Sequence, residues 1–89
     1  MGKAEIGWKG RTEDGIKREV YARHVGDRWE FFVREKRFDP WEPMKEPPLQ
    51  DWLELLDAVR RRVARRLLRP EEEMRVKKAI SGRFPGSEV

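Results

Sequence analysis

Residue types that carry catalytic chemistry are scarce in this sequence. It holds one histidine, His24, one threonine, no cysteine, and two serines near the C-terminal end, Ser81 and Ser87. A general base needs a reacting partner within hydrogen-bond reach, and nothing in the sequence nominates a partner for His24. Its place beside Trp29 on an apolar strand face favours a packing role. We therefore expect a protein that is not an enzyme and that has no catalytic residues.

Metal and phosphate sites are supplied no better. With one histidine and no cysteine, a zinc site would have to rest on carboxylates. The acidic run Glu71–Glu73 is consecutive, so its side chains would fan around a helix, where they suit the positive end of the helix dipole. No glycine-rich phosphate loop is present. We expect no metal, no cofactor and no small-molecule substrate.

The densest chemical feature is a run of arginines. The segment from Arg60 to Arg69 contains six arginines and no acidic residue. Guanidinium groups bind phosphate oxygens in a bidentate manner. On a continuous helix four of these side chains would share one side: Arg61, Arg62, Arg65 and Arg69. The alternative is a solvated helix face whose cations suit the negative end of the dipole and form salt bridges to Glu71–Glu73 or to the strands.

A second feature is an aromatic pair among charged residues. Tyr21 and Phe32 fall opposite each other on the outer face of a predicted hairpin, near Arg23 and Arg34. Aromatic side chains on a sheet face can stack on nucleic-acid bases. The alternative is that another helix or another subunit covers the pair. The candidate nucleic-acid-binding residues are Arg61, Arg62, Arg65, Arg66, Arg69, Tyr21, Phe32, Arg23 and Arg34.

These features predict non-enzymatic binding of a polyanion, either RNA or DNA, through the arginine-rich helix face. No RNP, KH or helix-turn-helix motif accompanies them. The alternative function is a protein-interaction or self-association module. Its contacts would come from Tyr21, Phe32 and Trp41 and from the proline-rich connector, and its partner would be another protein or a second copy of the chain.

Composition bounds both hypotheses. The chain has 89 residues, enough for one domain, and 43% of them are charged, with a net charge of +4. The basic excess lies in residues 58–89, with ten Lys/Arg against four Asp/Glu, whereas residues 1–57 hold eleven against thirteen. No apolar run approaches the ~20 residues of a membrane helix, and no signal peptide opens the sequence. We expect a cytoplasmic protein with no membrane partner.

A β-hairpin over residues 17–38, turning at Gly26-Asp27, is the element that positions the aromatic pair. If Val25 faces Arg28, opposite charges and apolar residues fall opposite each other along both strands, 17–25 and 28–38. The opposite-charge pairs in this register are Arg23 with Glu30, Glu19 with Arg34, and Arg18 with Glu35. A slip of one residue would send every side chain to the wrong face.

A first strand over residues 4–11 joins this hairpin through a three-residue loop with Gly15 in the left-handed conformation. That loop pairs Lys9 with Glu19, and Glu5 with Arg23, whereas a two-residue loop would lose both charge pairs. The apolar face then consists of Ile6, Trp8, Val20, Ala22, His24, Trp29, Phe31 and Val33. An exposed meander with one apolar face needs a cover.

The rest of the chain supplies that cover. We expect Trp41 and Met44 to pack on the domain, although the prolines around them also suit a ligand for an aromatic groove. The predicted segments are a proline-rich connector over 39–48, a long amphipathic helix over 49–69, a shorter helix over 70–82 and a tail over 83–89. The predicted fold is α+β: a three-stranded antiparallel meander covered on one face by the long C-terminal helix, followed by a shorter second helix.

Overall fold

The computed structural model describes residues 5–26 and 28–87, and the chain divides into two compact units, Met1–Glu46 and Pro47–Val89. The fold is α+β, with an antiparallel sheet in the first unit and two helices in the second. The strands are β1 (Glu5–Arg11), β2 (Lys17–Val25), β3 (Arg28–Arg34) and β4 (Glu42–Met44). The helices are α1 (Leu49–Ala64) and α2 (Pro70–Arg83).

The register of the central hairpin is confirmed. Val25 pairs with Arg28, His24 with Trp29, and Tyr21 with Phe32. Gly26 has the positive φ, 62°, that a tight hairpin turn requires. Asp27, the other turn residue predicted, lies outside the described residues.

The register of the first hairpin is confirmed as well. Glu5 pairs with Arg23 and Lys9 with Glu19, as the charge pattern predicts. The loop is the three-residue one: the Thr12 N–H donates to the Ile16 carbonyl at 2.9 Å, and Gly15 has a φ of 82°. The strand begins at Glu5 within the described residues, and Ala4 lies outside them.

The sheet has four strands rather than the three predicted, in the order β1-β2-β3-β4. The predicted third strand runs to Phe38, but β3 ends at Arg34 because a turn follows. In that turn Asp39 donates its N–H to the Lys36 carbonyl at 3.0 Å and accepts the Lys36 N–H on its carboxylate at 3.2 Å. The predicted pairing of Arg18 with Glu35 is therefore absent from the ladder.

The fourth strand comes from the proline-rich connector. Met44 pairs with Phe31 and Pro43 with Phe32, so β4 is an edge strand, the place in a sheet where proline is tolerated. The prediction that Trp41 and Met44 pack on the domain is confirmed by this pairing and by the contact of Trp41 with Tyr21.

The buried residues of the sheet unit belong to the predicted apolar face. Most exclude solvent almost completely: Ile6, Val20, Ala22, Trp29 and Phe31. The other three, Trp8, His24 and Val33, are half-buried. Trp8 meets Phe31 edge to face, with ring centroids 6.0 Å apart, a geometry that adds about 0.5–1.5 kcal/mol beyond the buried area.

The helical unit has its own apolar core. It consists of Trp52, Leu55, Leu56, Ala58 and Val59 from α1 with Val76 and Ile80 from α2. Leu55 is fully buried, whereas Met74 of α2 is 70% exposed. The predicted cover of the sheet by the long helix stays a prediction.

The first helix ends five positions earlier than predicted, at Ala64 instead of Arg69. The Leu67 N–H donates to the Arg62 carbonyl at 2.8 Å, and the Arg66 N–H donates to the Val63 carbonyl at 2.9 Å. These two bonds form a Schellman motif, and Arg66 takes its left-handed position with a φ of 62°. The second helix begins at Pro70, a residue suited to the first helical position, and ends at Arg83.

Candidate functional site

Ion pairing divides the arginine run into two groups. Arg60 and Arg61 lie on α1 and form ion pairs. The other four, here called the arginine corner, surround the turn between the helices: Arg62, Arg65, Arg66 and Arg69. The predicted single helical stripe of Arg61, Arg62, Arg65 and Arg69 is therefore wrong in its geometry, because Arg65 and Arg69 lie beyond the end of α1.

Arg60 and Arg61 have carboxylate partners, which the arginine corner lacks among the described residues. Arg60 donates from Nε to the Glu73 carboxylate at 3.1 Å, and Arg61 lies 3.2 Å from Asp57. The hydrogen bond from Arg60, helped by Lys77, lowers the pKa of the Glu73 carboxyl below its ordinary value. Arg60 and Arg61 are thus partly neutralised by carboxylates of their own unit.

No ion pair is formed by the arginine corner within residues 5–26 and 28–87. Arg65, Arg66 and Arg69 are exposed and Arg62 is half-buried. A groove of about 610 Å³ runs along this turn and is lined by Val63, Arg66, Leu67, Leu68, Arg69, Pro70 and Glu72. Leu67 at the turn is 62% exposed. The corner can therefore offer guanidinium groups to an anionic partner.

The predicted aromatic pair forms a three-ring group, here called the aromatic cluster: Tyr21, Phe32 and Trp41. Tyr21 and Phe32 are stacked, with centroids 4.8 Å apart and an interplanar angle of 16°. Trp41 meets Tyr21 at 4.7 Å and 88°. The three rings thus pack against one another. Trp41 joins the other two because β4 places the connector alongside β3.

Arg23 and Arg34, two of the predicted nucleic-acid-binding residues, each contact a carboxylate and a ring of this cluster. Arg34 donates from Nε to Glu19 at 2.7 Å, and its guanidinium carbon lies 4.2 Å from the Trp41 ring centroid. Arg23 donates to Glu30 at 3.1 Å and lies 5.2 Å from the Phe32 centroid. Their charges are compensated within the sheet.

A groove of about 620 Å³ lies next to the aromatic cluster. Gly7 pairs with Tyr21 across the strands, and its missing side chain leaves one side of the tyrosine open. Charged residues stand on either side of this opening, among them Glu5, Lys9 and Arg34. The site has mixed charge beside aromatic surface, a composition that suits a protein partner.

A group of cations that the sequence pattern does not single out lies at the end of the sheet unit where β1 finishes and β2 begins. Arg11 pairs directly with Lys17, and both residues line a separate groove together with Arg37. A signal for it exists, because the predicted register of the first hairpin already brings two positive charges into opposition at this point. Density of charge along the sequence, which marks the arginine run, does not detect cations brought together by strand pairing.

No family model, curated protein or solved structure matches this chain. The arrangement of its own side chains is therefore what bears on function.

Two further observations concern the described residues. Neither α1 nor α2 has the length and apolar composition that a membrane-spanning helix needs. Over residues 5–26 and 28–87, histidine and carboxylate side chains do not gather in groups of three that could hold a metal ion. His24 lies with its ring centroid 4.9 Å from that of Trp29.

Proposed function

We propose that this protein is a non-enzymatic binding protein for a polyanion, RNA or DNA, and that the arginine corner contacts phosphate groups. The observation that carries the proposal is the pairing pattern of the arginine run. Arg60 and Arg61 have carboxylate partners, whereas the four corner arginines have none among the described residues. Four cations within eight residues of sequence carry charge that the described carboxylates do not compensate, and an anionic ligand would compensate it.

The backbone of Arg66 supports the same proposal. A residue other than glycine in the left-handed conformation costs roughly 1–2 kcal/mol, and glycine is the usual residue at this position of the motif. Arg66 nevertheless occupies it, with a φ of 62°. Strained backbone positions cluster at functional sites, which agrees with a ligand site at this turn.

The expected recognition is of phosphate rather than of base sequence. The corner is a turn between two helices, not an element shaped to enter a DNA groove. Guanidinium contacts to phosphate release counterions and make affinity fall with salt, by about 0.9 in the log–log slope for each duplex phosphate neutralised. Binding should therefore be steeply salt-dependent and should vary little among sequences.

The test compares two triple variants in a fluorescence anisotropy assay on labelled RNA and DNA at low and moderate salt. Arg62→Gln, Arg65→Gln and Arg69→Gln together should weaken binding and reduce the duplex salt slope by about 2.7. The control removes the same charge elsewhere with Arg28→Gln, Lys45→Gln and Lys78→Gln, all at exposed positions. Equal losses in both variants would reduce the effect to net charge, and no binding by the parent at low salt would sink the proposal.

A protein-interaction or self-association module is the second candidate function, and the aromatic cluster favours it. Tyr21, Phe32 and Trp41 pack against one another, and Tyr21 and Trp41 line a groove of about 620 Å³. Rigid aromatic side chains are enriched at protein interfaces. Light scattering tests for a dimer, and Gly7→Lys, which would fill the groove, should dissociate it. A monomeric parent would leave a different protein as the partner, to be sought with the Gly7→Lys variant as the control.

A further inference from the structure

A basic groove lies at the end of the sheet unit where β1 finishes and β2 begins. Its volume is about 410 Å³, and five cations line it: Lys9, Arg11, Lys17, Arg18 and Arg37. Two carboxylates, Glu19 and Glu35, also line it, and Glu19 accepts a hydrogen bond from Arg34 at 2.7 Å. Because Arg34 compensates Glu19, the groove keeps a strong positive charge.

The strand ladder makes this charge unusual. Elsewhere in the sheet directly opposed charges have opposite sign, as in Glu5 with Arg23 and Glu19 with Arg34. Arg11 and Lys17 are instead two cations in direct opposition, an arrangement that destabilises a pair of strands. Neither forms an ion pair within residues 5–26 and 28–87. A bound anion would relieve this repulsion.

An exposed aromatic ring adjoins the groove. Phe38 is 92% exposed, and the guanidinium carbon of its neighbour Arg37, which lines the groove, lies 5.8 Å from the Phe38 ring centroid. The backbone that carries both residues is ordered by the hydrogen bonds between Lys36 and Asp39. The ring is thus presented to solvent by a defined turn.

We infer that the basic groove and Phe38 bind single-stranded nucleic acid, with the cations on the phosphate backbone and a base stacked on the Phe38 ring. Positively charged grooves combined with exposed aromatic side chains are how proteins hold single strands without sequence preference. Bases inside a duplex are stacked on each other and cannot reach Phe38, so single strands are preferred. This inference shares its ligand class with the proposed function but rests on different residues in the other unit.

The stacking half is tested at Phe38. Binding of short labelled oligo-U, oligo-dT and a duplex of equal length is measured by anisotropy for the parent, Phe38→Leu and Phe38→Trp. Leucine keeps the apolar character without the ring, and should weaken single-strand binding about fivefold or more while leaving duplex binding unchanged. Phe38→Trp keeps an aromatic ring, so it should bind single strands as the parent does, and the fluorescence of the new tryptophan should change on binding. Equal affinity of the leucine variant and the parent for single strands would overturn the stacking contact, and would point to Phe38 as a protein contact.

The electrostatic half is tested at the like-charge pair. Arg11→Gln with Lys17→Gln should lower the single-strand salt slope by about 1.4, because each phosphate contact contributes about 0.7. The matched control, Arg28→Gln with Lys45→Gln, removes the same charge from exposed positions of the sheet unit outside the groove. Identical slopes for the two variants would exclude the groove as the phosphate site.

Each measurement is repeated in the Arg62, Arg65 and Arg69 to Gln background, which separates the two proposals. If the groove binds single strands, this background still binds oligo-U, and the further change of Phe38→Leu weakens that binding about fivefold or more. Loss of all single-strand binding in the background, with no effect of the Phe38 and Arg11–Lys17 variants in the parent, would overturn the groove and leave the corner. Unchanged binding in the background would overturn the corner and leave the groove.

Discussion

The Leu67 N–H donates to the Arg62 carbonyl at 2.8 Å, and this one bond turns the chain out of α1. It places Arg66 in the left-handed conformation and distributes the following arginines around a turn instead of along a helix. The charge that the composition concentrates in one segment is thereby presented at a corner between two helices.

Arg66→Gly is expected to stabilise the protein by about 1 kcal/mol, because glycine adopts a positive φ without the steric cost that arginine bears. Urea denaturation followed by circular dichroism measures the change as a shift in midpoint. The control is Arg65→Gly, whose φ of −91° is not left-handed, so that change should stabilise nothing. In the binding assay Arg66→Gly should still lose one phosphate contact, about 0.9 of the duplex slope. A less stable Arg66→Gly protein would contradict this account of the turn.

The strand registers could be predicted because each register has to satisfy two separate conditions. In both hairpins the apolar residues must lie on one face of the sheet, and residues of opposite charge must pair across neighbouring strands, as Lys9 with Glu19 and Arg23 with Glu30 do. Only one register satisfies both conditions, and a slip of one residue fails both. The fourth strand could not be predicted in this way, because it is only three residues long and contains Pro43.

The end of the first helix could not be predicted for a different reason. Arginine and leucine favour helix, and no glycine or proline occurs between Leu49 and Pro70, so local preferences extend the helix to Arg69. The early end depends on a left-handed arginine, which intrinsic preferences disfavour. The concentration of arginines can be read directly from the sequence. Their separation into paired and unpaired groups depends on carboxylates such as Glu73, which is distant from Arg60 in the sequence but close to it in the folded chain.

The ion pairs of Glu73 make a contribution to stability that depends on pH. The pKa of Glu73 is lowered from its ordinary value of 4.5, chiefly by the hydrogen bond from Arg60 and also by Lys77. A lowered folded-state pKa means that the stabilisation is fully present above the unfolded pKa and is lost as pH falls through the lowered value. Glu73→Gln should therefore lower the urea midpoint at pH 7 and lower it by a smaller amount at pH 3.

Glu71→Gln is the matched control for this measurement. Glu71 lies in the same first turn of α2 and shares the helix-dipole interaction, but it forms no ion pair within the described part of the chain. Raising the salt concentration should reduce the Glu73 effect at pH 7, since the pair is exposed to solvent. A Glu73 effect that stayed constant from pH 7 to pH 3 would contradict the ion-pair assignment.

Two leucines separated by one residue on α1 test the core of the helical unit. Leu55 is 0% exposed and Leu53 is 42% exposed. Leu55→Ala should cost about 2–5 kcal/mol, through reduced burial and the cavity left behind. Leu53→Ala should cost less than about 1 kcal/mol, because its side chain keeps much of its contact with water. Similar losses in thermal or urea unfolding would mean that the buried face of α1 is misassigned.

The last prediction concerns the two aromatic surfaces of the sheet unit, which should behave oppositely. Trp41 lies against Tyr21 at 4.7 Å and under the Arg34 guanidinium at 4.2 Å. Trp41→Ala should therefore cost about 1–3 kcal/mol, because alanine supports neither the edge-to-face packing nor the cation–π interaction. Phe38, 92% exposed, should cost at most about 0.5 kcal/mol when changed to leucine.

Binding separates the same two surfaces in the other direction. Tyr21 and Phe32 turn ring faces toward each other, so Tyr21→Leu with Phe32→Leu should lower the urea midpoint while folded protein binds single strands as the parent does. Phe38→Leu should keep the midpoint and lose single-strand affinity. If the Tyr21–Phe32 variant, still folded by circular dichroism, loses about fivefold or more of its affinity for oligo-U at an unchanged salt slope, then bases stack on the aromatic cluster after all. The rings would then have to separate on binding, which near-ultraviolet circular dichroism of the parent with and without oligo-U would detect.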